Sequence, residues 1–351
     1  MRYTPLAMIK SITLTNIRNF SNKHIEFKET NTNIYGPNGS GKTTILESIH
    51  AIATTKSHKA SEEKEMIKDG KPFGKITLID DTHTYEMVIT TLGKRVWLDK
   101  QEKKKLSNFI GHLHIVLFAP EDIDLIKGNP QFKRQFLDVS MIQLDNPYIQ
   151  KLSLYKQLLK QRNALLKRLK LNDDETFLNV LNDQLIEVGK EIIKARENFI
   201  ERLNQVFNEI CQSFQLVDAK VVYRPSVHIE KYAKSIQDSK QSDILSKTTN
   251  VGPHRDDFSV SFNQSIAKQY ASQGQARLLA LALKMAVYTL LKQANKKVTL
   301  LLDDVLSELD IDNQKKVLEL RTKDSQVILN SAIRLHHKNE NDIELKGEFH
   351  E

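Results

Sequence analysis

Residues 36–43 read Gly36-Pro37-Asn38-Gly39-Ser40-Gly41-Lys42-Thr43, and no other stretch constrains the chain as much. The run fits the phosphate-loop pattern GxxxxGK[ST]. A strand candidate, NTNIY, precedes it and a helix candidate, TTILESIHAIA, follows it, which is the context the pattern requires. Glycines at this spacing let successive backbone N–H groups wrap a polyphosphate, and the helix N-terminus adds partial positive charge. Gly36 to Thr44 are therefore the expected nucleotide-binding residues. Lys42 is expected on the β- and γ-phosphates and the Thr43 hydroxyl on Mg²⁺. The alternative is a glycine-rich turn that binds no nucleotide.

A phosphate loop needs a carboxylate at the end of a buried parallel strand. Val298-Thr299-Leu300-Leu301-Leu302-Asp303-Asp304 fits, because a run this apolar suits a strand covered on both faces. Asp303 is expected to orient Mg²⁺ or its bound water, and Asp304 to act as general base toward the attacking water. Thr43 and Asp303 lie 303 − 43 = 260 residues apart, more than small GTPases or nucleotide kinases insert, and no NKxD guanine-reading motif is present.

Composition narrows the class. The 351 residues include 40% hydrophobic side chains, enough for ordinary cores. Lys and Arg exceed Asp and Glu by 52 − 44 = 8, which permits a polyanionic partner. The single cysteine, Cys211, excludes an internal disulfide framework and a thiolate metal cluster; it reads as a buried small apolar residue. No basic-then-apolar leader opens the sequence, and LLALALKMAVYTLL at 278–291 falls short of the roughly 20 residues of a membrane span. A cytoplasmic protein is expected.

The pattern along the chain divides it. IKSITLTNI, HIEFK and NTNIY read as strands before the phosphate loop, and KITLID, TYEMVIT and RVWLD as antiparallel strands after it. From about 147 to 210 the period changes: Leu152, Tyr155, Leu158 and Leu159, then Leu181, Leu185, Val188 and Ile192 onward, fall at helical spacing. The second run lasts about 30 residues, roughly 45 Å. Two helices around the polar break NDDET predict an antiparallel pair, a short arm; a plain helical subdomain is the competing reading. After 250, ASQGQARLLALALKMAVYTLL reads as a turn opening a buried helix and QVILN as a last strand.

Between these halves lies Ser272-Gln273-Gly274-Gln275, about 30 residues before Asp303, and Ser307-Glu308-Leu309-Asp310 follows the strand. The two resemble the signature loop and D-loop of ABC-type ATPases, and in this order they form a specific set. In such ATPases the signature of one subunit caps the γ-phosphate held by another. The resemblance thus assigns Ser272, Gly274 and Gln275 to nucleotide binding in trans, Ser272 as a catalytic group, and implies an ATP-induced homodimer.

Further segments resemble the RecF family, bacterial recombination mediator ATPases: LTNIRNF at 14–20, PEDIDLIKGNP at 120–130 with KRQFLD at 133–138, YKQLLKQRNALL at 155–166, and GPHRDD at 252–257. The resemblance runs from about 8 to 332. It implies an α/β ABC-type ATPase head, residues 8–138 plus 250–335, with a helical arm inserted at 139–249 and a polar tail at 336–351. It further implies weak, DNA-stimulated ATP hydrolysis, an ATP-bound dimer clamping duplex DNA near single-strand gaps, and partnership with RecR, indirectly RecO, in loading RecA. Departures are Lys247, where the family usually has glycine, Lys133 in an Arg-Arg pair, and Asn330-Ser331-Ala332 for a Thr-rich end. No switch histidine or Q-loop glutamine is visible, with Glu121 only in that neighbourhood, and slow turnover is expected. An ABC-type subunit of a nuclease or defence system, and a DNA scaffold with little turnover, are the alternatives.

Other features have plainer readings. Lys100 to Lys105 read as a solvated hairpin end before a DNA patch, and Trp97 as core. Lys156, Lys160, Arg162, Lys167 and Arg168 are placed on the polar side of the first arm helix, able to track a duplex backbone. His254, Arg255, Asp256 and Asp257 are read as a rigid hydrogen-bonded turn without assigned chemistry.

Overall fold

Alternating apolar residues make the first strand, Ile9–Ile17, whose inward side chains Ile12 and Leu14 are fully buried; the alternation slips at an irregularity between Ile9 and Ser11. This is a computed structural model, and it describes residues 8–28, 31–169, 175–305, 309–319, 325–332, 334 and 341–346. Its strands in chain order are β1 (Ile9–Ile17), β2 (Phe20–Glu26), β3 (Asn31–Tyr35), β4 (Phe73–Asp80), β5 (Thr84–Thr90), β6 (Gly93–Leu98), β7 (Gln101–Glu102) and β8 (His114–Phe118). Then come β9 (Lys220–Arg224), β10 (Asp257–Phe262), β11 (Ser265–Ile266), β12 (Val298–Leu302), β13 (Gln326–Ser331) and β14 (Asn341–Glu344).

The chain divides into two compact units, Met1–Glu121 with Leu291–Glu351, and Asp122–Leu290. The first holds an antiparallel sheet, β2-β1-β4-β5-β6-β7, and a parallel one, β14-β3-β13-β12-β8. All five residues of β12 are buried, paired on both edges with parallel neighbours, as a run apolar but for Thr299 requires. The helix Lys42–Thr54 buries Ile45, Leu46, Ile49 and Ile52 in one core with residues of both sheets, among them Ile12, Leu78, Met87, Leu301 and Ile328. Each such side chain contributes about 1.5–3 kcal/mol.

The second unit is built on the arm helices Asn146–Leu166 and Thr176–Ser213. They run antiparallel: Arg162 bonds Asn182, Lys151 pairs with Glu191, and Arg196 bonds Tyr148, so one numbering rises as the other falls. The second helix, at 38 residues, exceeds the expected length. Cys211 is buried within it, and burial pushes its thiol up to about 12. Residues 170–174 of the break between the helices, and Ser307 and Glu308 of the D-loop segment, fall outside the described residues.

Three boundaries differ from expectation. Residues 122–138 and 250–290 belong with the arm rather than with the ATPase unit. The reason lies in the arm-helix cation Arg196, which donates to Asp138 at 2.9 Å and to Asp256 at 2.8 Å, while buried Lys133 ties the two segments together through the Phe258 carbonyl at 3.0 Å. The supposed tail contains β14, which adds in parallel to the edge of β3. The helix Gln273–Gln293, at 21 residues, is after all long and apolar enough to cross a bilayer, but 67% of its apolar window is buried. Two side chains also depart: Trp97 lies on the face opposite buried Val96 and Leu98, and Arg162 is fully buried against Asp243 rather than on a polar face. Lys247 ends the helix Lys240–Ser246 with φ 55°, a left-handed C-cap conformation that glycine adopts most readily.

Candidate functional site

The P-loop begins where β3 ends. Gly36 has φ 151°, and a Cβ on it would stand 2.3 Å from the carbonyl oxygen of Leu345, just beyond β14, so the added strand closes one side of the loop. Gly41, the N-cap of the following helix, has φ 93°, and a Cβ there would meet the Phe20 ring at 2.4 Å. Both positions exclude any side chain. Phe20 belongs to the LTNIRNF segment, which thereby acquires a packing role beneath the loop. Lys42 is buried and donates to the carbonyls of Gly36 at 2.6 Å and Pro37 at 2.9 Å. The Ser40 hydroxyl is buried without a hydrogen bond.

Parallel pairing of β12 with β13, and of β13 with β3, brings three polar residues to the carboxyl ends of the strands. Thr43 Oγ1 donates to Asp303 Oδ1 at 2.8 Å, and Asn330 Nδ2 donates to the same oxygen at 2.5 Å. The Asn330 side-chain oxygen Oδ1 accepts from the Asp304 N–H at 2.6 Å, fixing a backbone turn in which Asp304 takes φ 57° and exposes its side chain. Asp303 is 1% exposed, and its second oxygen, Oδ2, has no hydrogen bond. Lys59 Nζ at 3.6 Å and His58 Nε2 at 3.8 Å face that oxygen at charge-contact rather than hydrogen-bond range. Burial works to raise the Asp303 carboxyl; His58, the Lys59 charge and the bonds from Thr43 and Asn330 outweigh it and hold it below the usual carboxylate range.

These donors fit a divalent cation that arrives with a nucleotide. A hydroxyl and a buried carboxylate oxygen lacking a partner stand together, while no group of three His, Cys, Asp or Glu among the described residues forms an all-protein cage. A cation here would take its other ligands from phosphate and water, as Mg²⁺ does. Asn330, His58 and Lys59 were not singled out for this site from the sequence. The one signal for Asn330 was its place at the end of a strand parallel to β12, where α/β sheets bind ligands.

The signature residues lie in the other unit. Ser272 and Gln275 form a reciprocal capping box: Gln275 N–H donates to Ser272 Oγ at 3.2 Å, and Ser272 N–H to Gln275 Oε1 at 2.9 Å. Ser272, Gln273 and Gly274 are exposed, and a Cβ on Gly274 would meet nothing within 4 Å. Glu121 places Oε1 3.4 Å from Lys59 Nζ.

Comparison with known proteins agrees with this geometry. A family model described as an AAA domain matches residues 11–214. The DNA replication and repair protein RecF of Acholeplasma laidlawii is 43% identical over 327 residues, covering 93% of this chain and 94% of the relative. RecF of Bacillus cytotoxicus is 38% identical, covering 88% of each. A solved structure described as the recombination mediator protein RecF–ATP of the RecFOR pathway superposes with TM-score 0.92 at 28% identity over 99% of both chains. The Smc head domain of Pyrococcus furiosus, at TM-score 0.51 and 19% identity over 93% of this chain and 90% of that one, shares the fold. The chain, an α/β ABC-type ATPase head by fold, belongs to the RecF family.

Proposed function

We propose that the protein is an ATP-dependent DNA-binding ATPase of replication and recombinational repair, with a dimeric ATP-bound form that clamps duplex DNA near single-strand gaps. The observation that carries this is the Thr43–Asp303–Asn330 cluster beside the P-loop, with Asp303 Oδ2 buried and lacking a hydrogen bond. Gly36 to Thr44 bind the triphosphate; Lys42 exchanges the Gly36 and Pro37 carbonyls for phosphate oxygens. Thr43 and Asp303 hold Mg²⁺, which neutralises charge on the β- and γ-phosphates when bound.

Asp304 accepts a proton from water. The water oxygen bonds to the γ-phosphorus as the bond to the bridging oxygen breaks, giving ADP and phosphate. Ser272, Gly274 and Gln275 cap the γ-phosphate from a second copy; the exposure of Ser272 and Gly274 at a helix N-terminus suits that contact. One copy of each motif per chain makes the dimer obligatory for turnover. By kinship with RecF, the cytoplasmic partners are RecR, indirectly RecO, and gapped DNA.

Asp304→Asn keeps binding and slows hydrolysis, so sedimentation with saturating MgATP should find it dimeric. A monomer under those conditions would remove the trans-capping reading. Single-turnover hydrolysis with and without duplex DNA separates a slow, DNA-stimulated switch from a scaffold, which hydrolyses in neither.

A further inference from the structure

The loop after the P-loop helix is held by a buried carboxylate. Glu47, 2% exposed, accepts from Arg18 Nη2 at 2.9 Å and from Ser57 Oγ at 2.5 Å. Arg18 also donates to the Glu65 carbonyl at 2.8 Å, and Ser57 Oγ accepts the backbone N–H groups of Lys59 at 3.0 Å and Ala60 at 2.8 Å. This chain of bonds runs from the LTNIRNF segment through the helix to residues 57–60, and it presents His58 and Lys59 to Asp303.

What they meet there is incompletely satisfied. Lys59 Nζ stands 3.4 Å from Glu121 Oε1 and 3.6 Å from Asp303 Oδ2, beyond direct hydrogen-bond range. Asp303 Oδ2, Glu121 Oε2 and both ring nitrogens of His58 are buried without hydrogen bonds, and the His58 side chain is only 9% exposed. Buried polar atoms left unpaired are costly, so their gathering at one point marks a place that a ligand completes. The Lys59 side chain, by contrast, is 32% exposed and has a flexible stem. A compact ammonium of one positive charge can occupy this position, and a divalent ion competes for the same oxygen with twice the charge.

We propose that Lys59 is an internal stand-in for the divalent cation: its ammonium neutralises Asp303 and Glu121 while the nucleotide site is empty, and withdraws when a metal–nucleotide complex binds. The inference rests on the nucleotide reading above and adds a regulatory consequence. Magnesium must displace a tethered cation, so metal, not nucleotide alone, commits the site.

The test titrates Mg²⁺ against the full-length protein at fixed ATP, reading thermal stabilisation and the fluorescence of a labelled ATP analogue. Lys59→Met should reach half-saturation at about fivefold lower Mg²⁺ than wild type. Without nucleotide it should melt below wild type, and saturating MgATP should abolish that difference. Lys59→Arg, which keeps the charge, should stay closer to wild type in both respects. An unchanged or higher Mg²⁺ requirement in Lys59→Met overturns the stand-in role, as does weaker nucleotide binding with Mg²⁺ in excess, which would make Lys59 a phosphate ligand. Lys42→Ala separates the two levels: if wild type shows no more nucleotide response than Lys42→Ala, the nucleotide reading itself fails and this inference with it.

Discussion

Arg196 and Asp303 are both buried charges, 2% and 1% exposed, and they are treated in opposite ways. Around Arg196 nearly every partner is present. Its guanidinium donates to the Pro253 carbonyl at 2.7 Å, Asp256 at 2.8 Å, Asp138 at 2.9 Å and the Tyr148 hydroxyl at 3.2 Å. Asp256 accepts in addition from the Tyr223 hydroxyl and from the Ser226 N–H. Arg162 is similarly bound to Asp243, Thr249 and Asn182, with only Nη2 left over. Asp303 keeps one oxygen open instead. A closed polar network specifies architecture; an open one awaits a ligand. By this criterion Asp256, in the GPHRDD run that invites a catalytic or metal reading, is structural.

The contrast predicts where mutations strike. Arg196→Met leaves Asp138 and Asp256 without their shared cation, and breaking a buried pair in this way costs about 3–5 kcal/mol. Hydrogen exchange should find protection lost across the arm unit, residues 122–290. Adding Asp256→Asn should recover part of it, because the second change removes a stranded charge. If Arg196→Met exchanges like wild type, the network is not what holds the arm.

Asp303→Asn makes the opposite trade. The amide oxygen can still accept from Thr43 and Asn330, so denaturant unfolding should move by no more than about 1 kcal/mol. The Mg²⁺-dependent part of ATP affinity should instead fall about 10- to 100-fold, the range seen when a metal site loses its support. A stability loss as large as that of Arg196→Met would erase the distinction between the two sites.

The same distinction explains what could be read in advance. The P-loop, β12 and Asp303 were legible because short-range pattern dictates them: glycine spacing, and an apolar run that only a doubly covered parallel strand suits. The turn opening the helix Gln273–Gln293 was legible for the same reason. Arg162 was not, because helical periodicity placed it among lysines, and its burial depends on Asp243, 81 residues away. The division between units was missed since the arm's Arg196 binds Asp138 and Asp256, 58 and 60 residues away in opposite directions. Three polar residues and a single isoleucine gave no sign of β14, which exists by pairing with β3. Asn330, His58 and Lys59 carry no motif of their own; only the fold brings them to Asp303.

The smallest expected effect tests how closed the arm network is. His254 Nε2 lies 2.9 Å from the Thr249 carbonyl, which can only accept, so that nitrogen carries the proton; Nδ1 then accepts from the Tyr155 hydroxyl at 2.8 Å. A protonated ring would turn Nδ1 into a donor and spoil the second bond. Burial lowers the His254 pKa, the nearby Arg255 adds to that, and the bond to Thr249 opposes it without reversing it. The folded protein therefore binds this proton less readily than the unfolded chain, whose histidines titrate near about 6.5. Stability from this group is fully present above that value and declines as the pH falls toward the folded pKa. One proton limits the slope to about 1.4 kcal/mol per pH unit. His254→Gln cannot titrate and retains an amide donor for Thr249, so its stability below pH about 6.5 should decline less steeply than wild type. Parallel pH profiles for the two proteins would mean that the ring tolerates protonation and that this edge of the network is open.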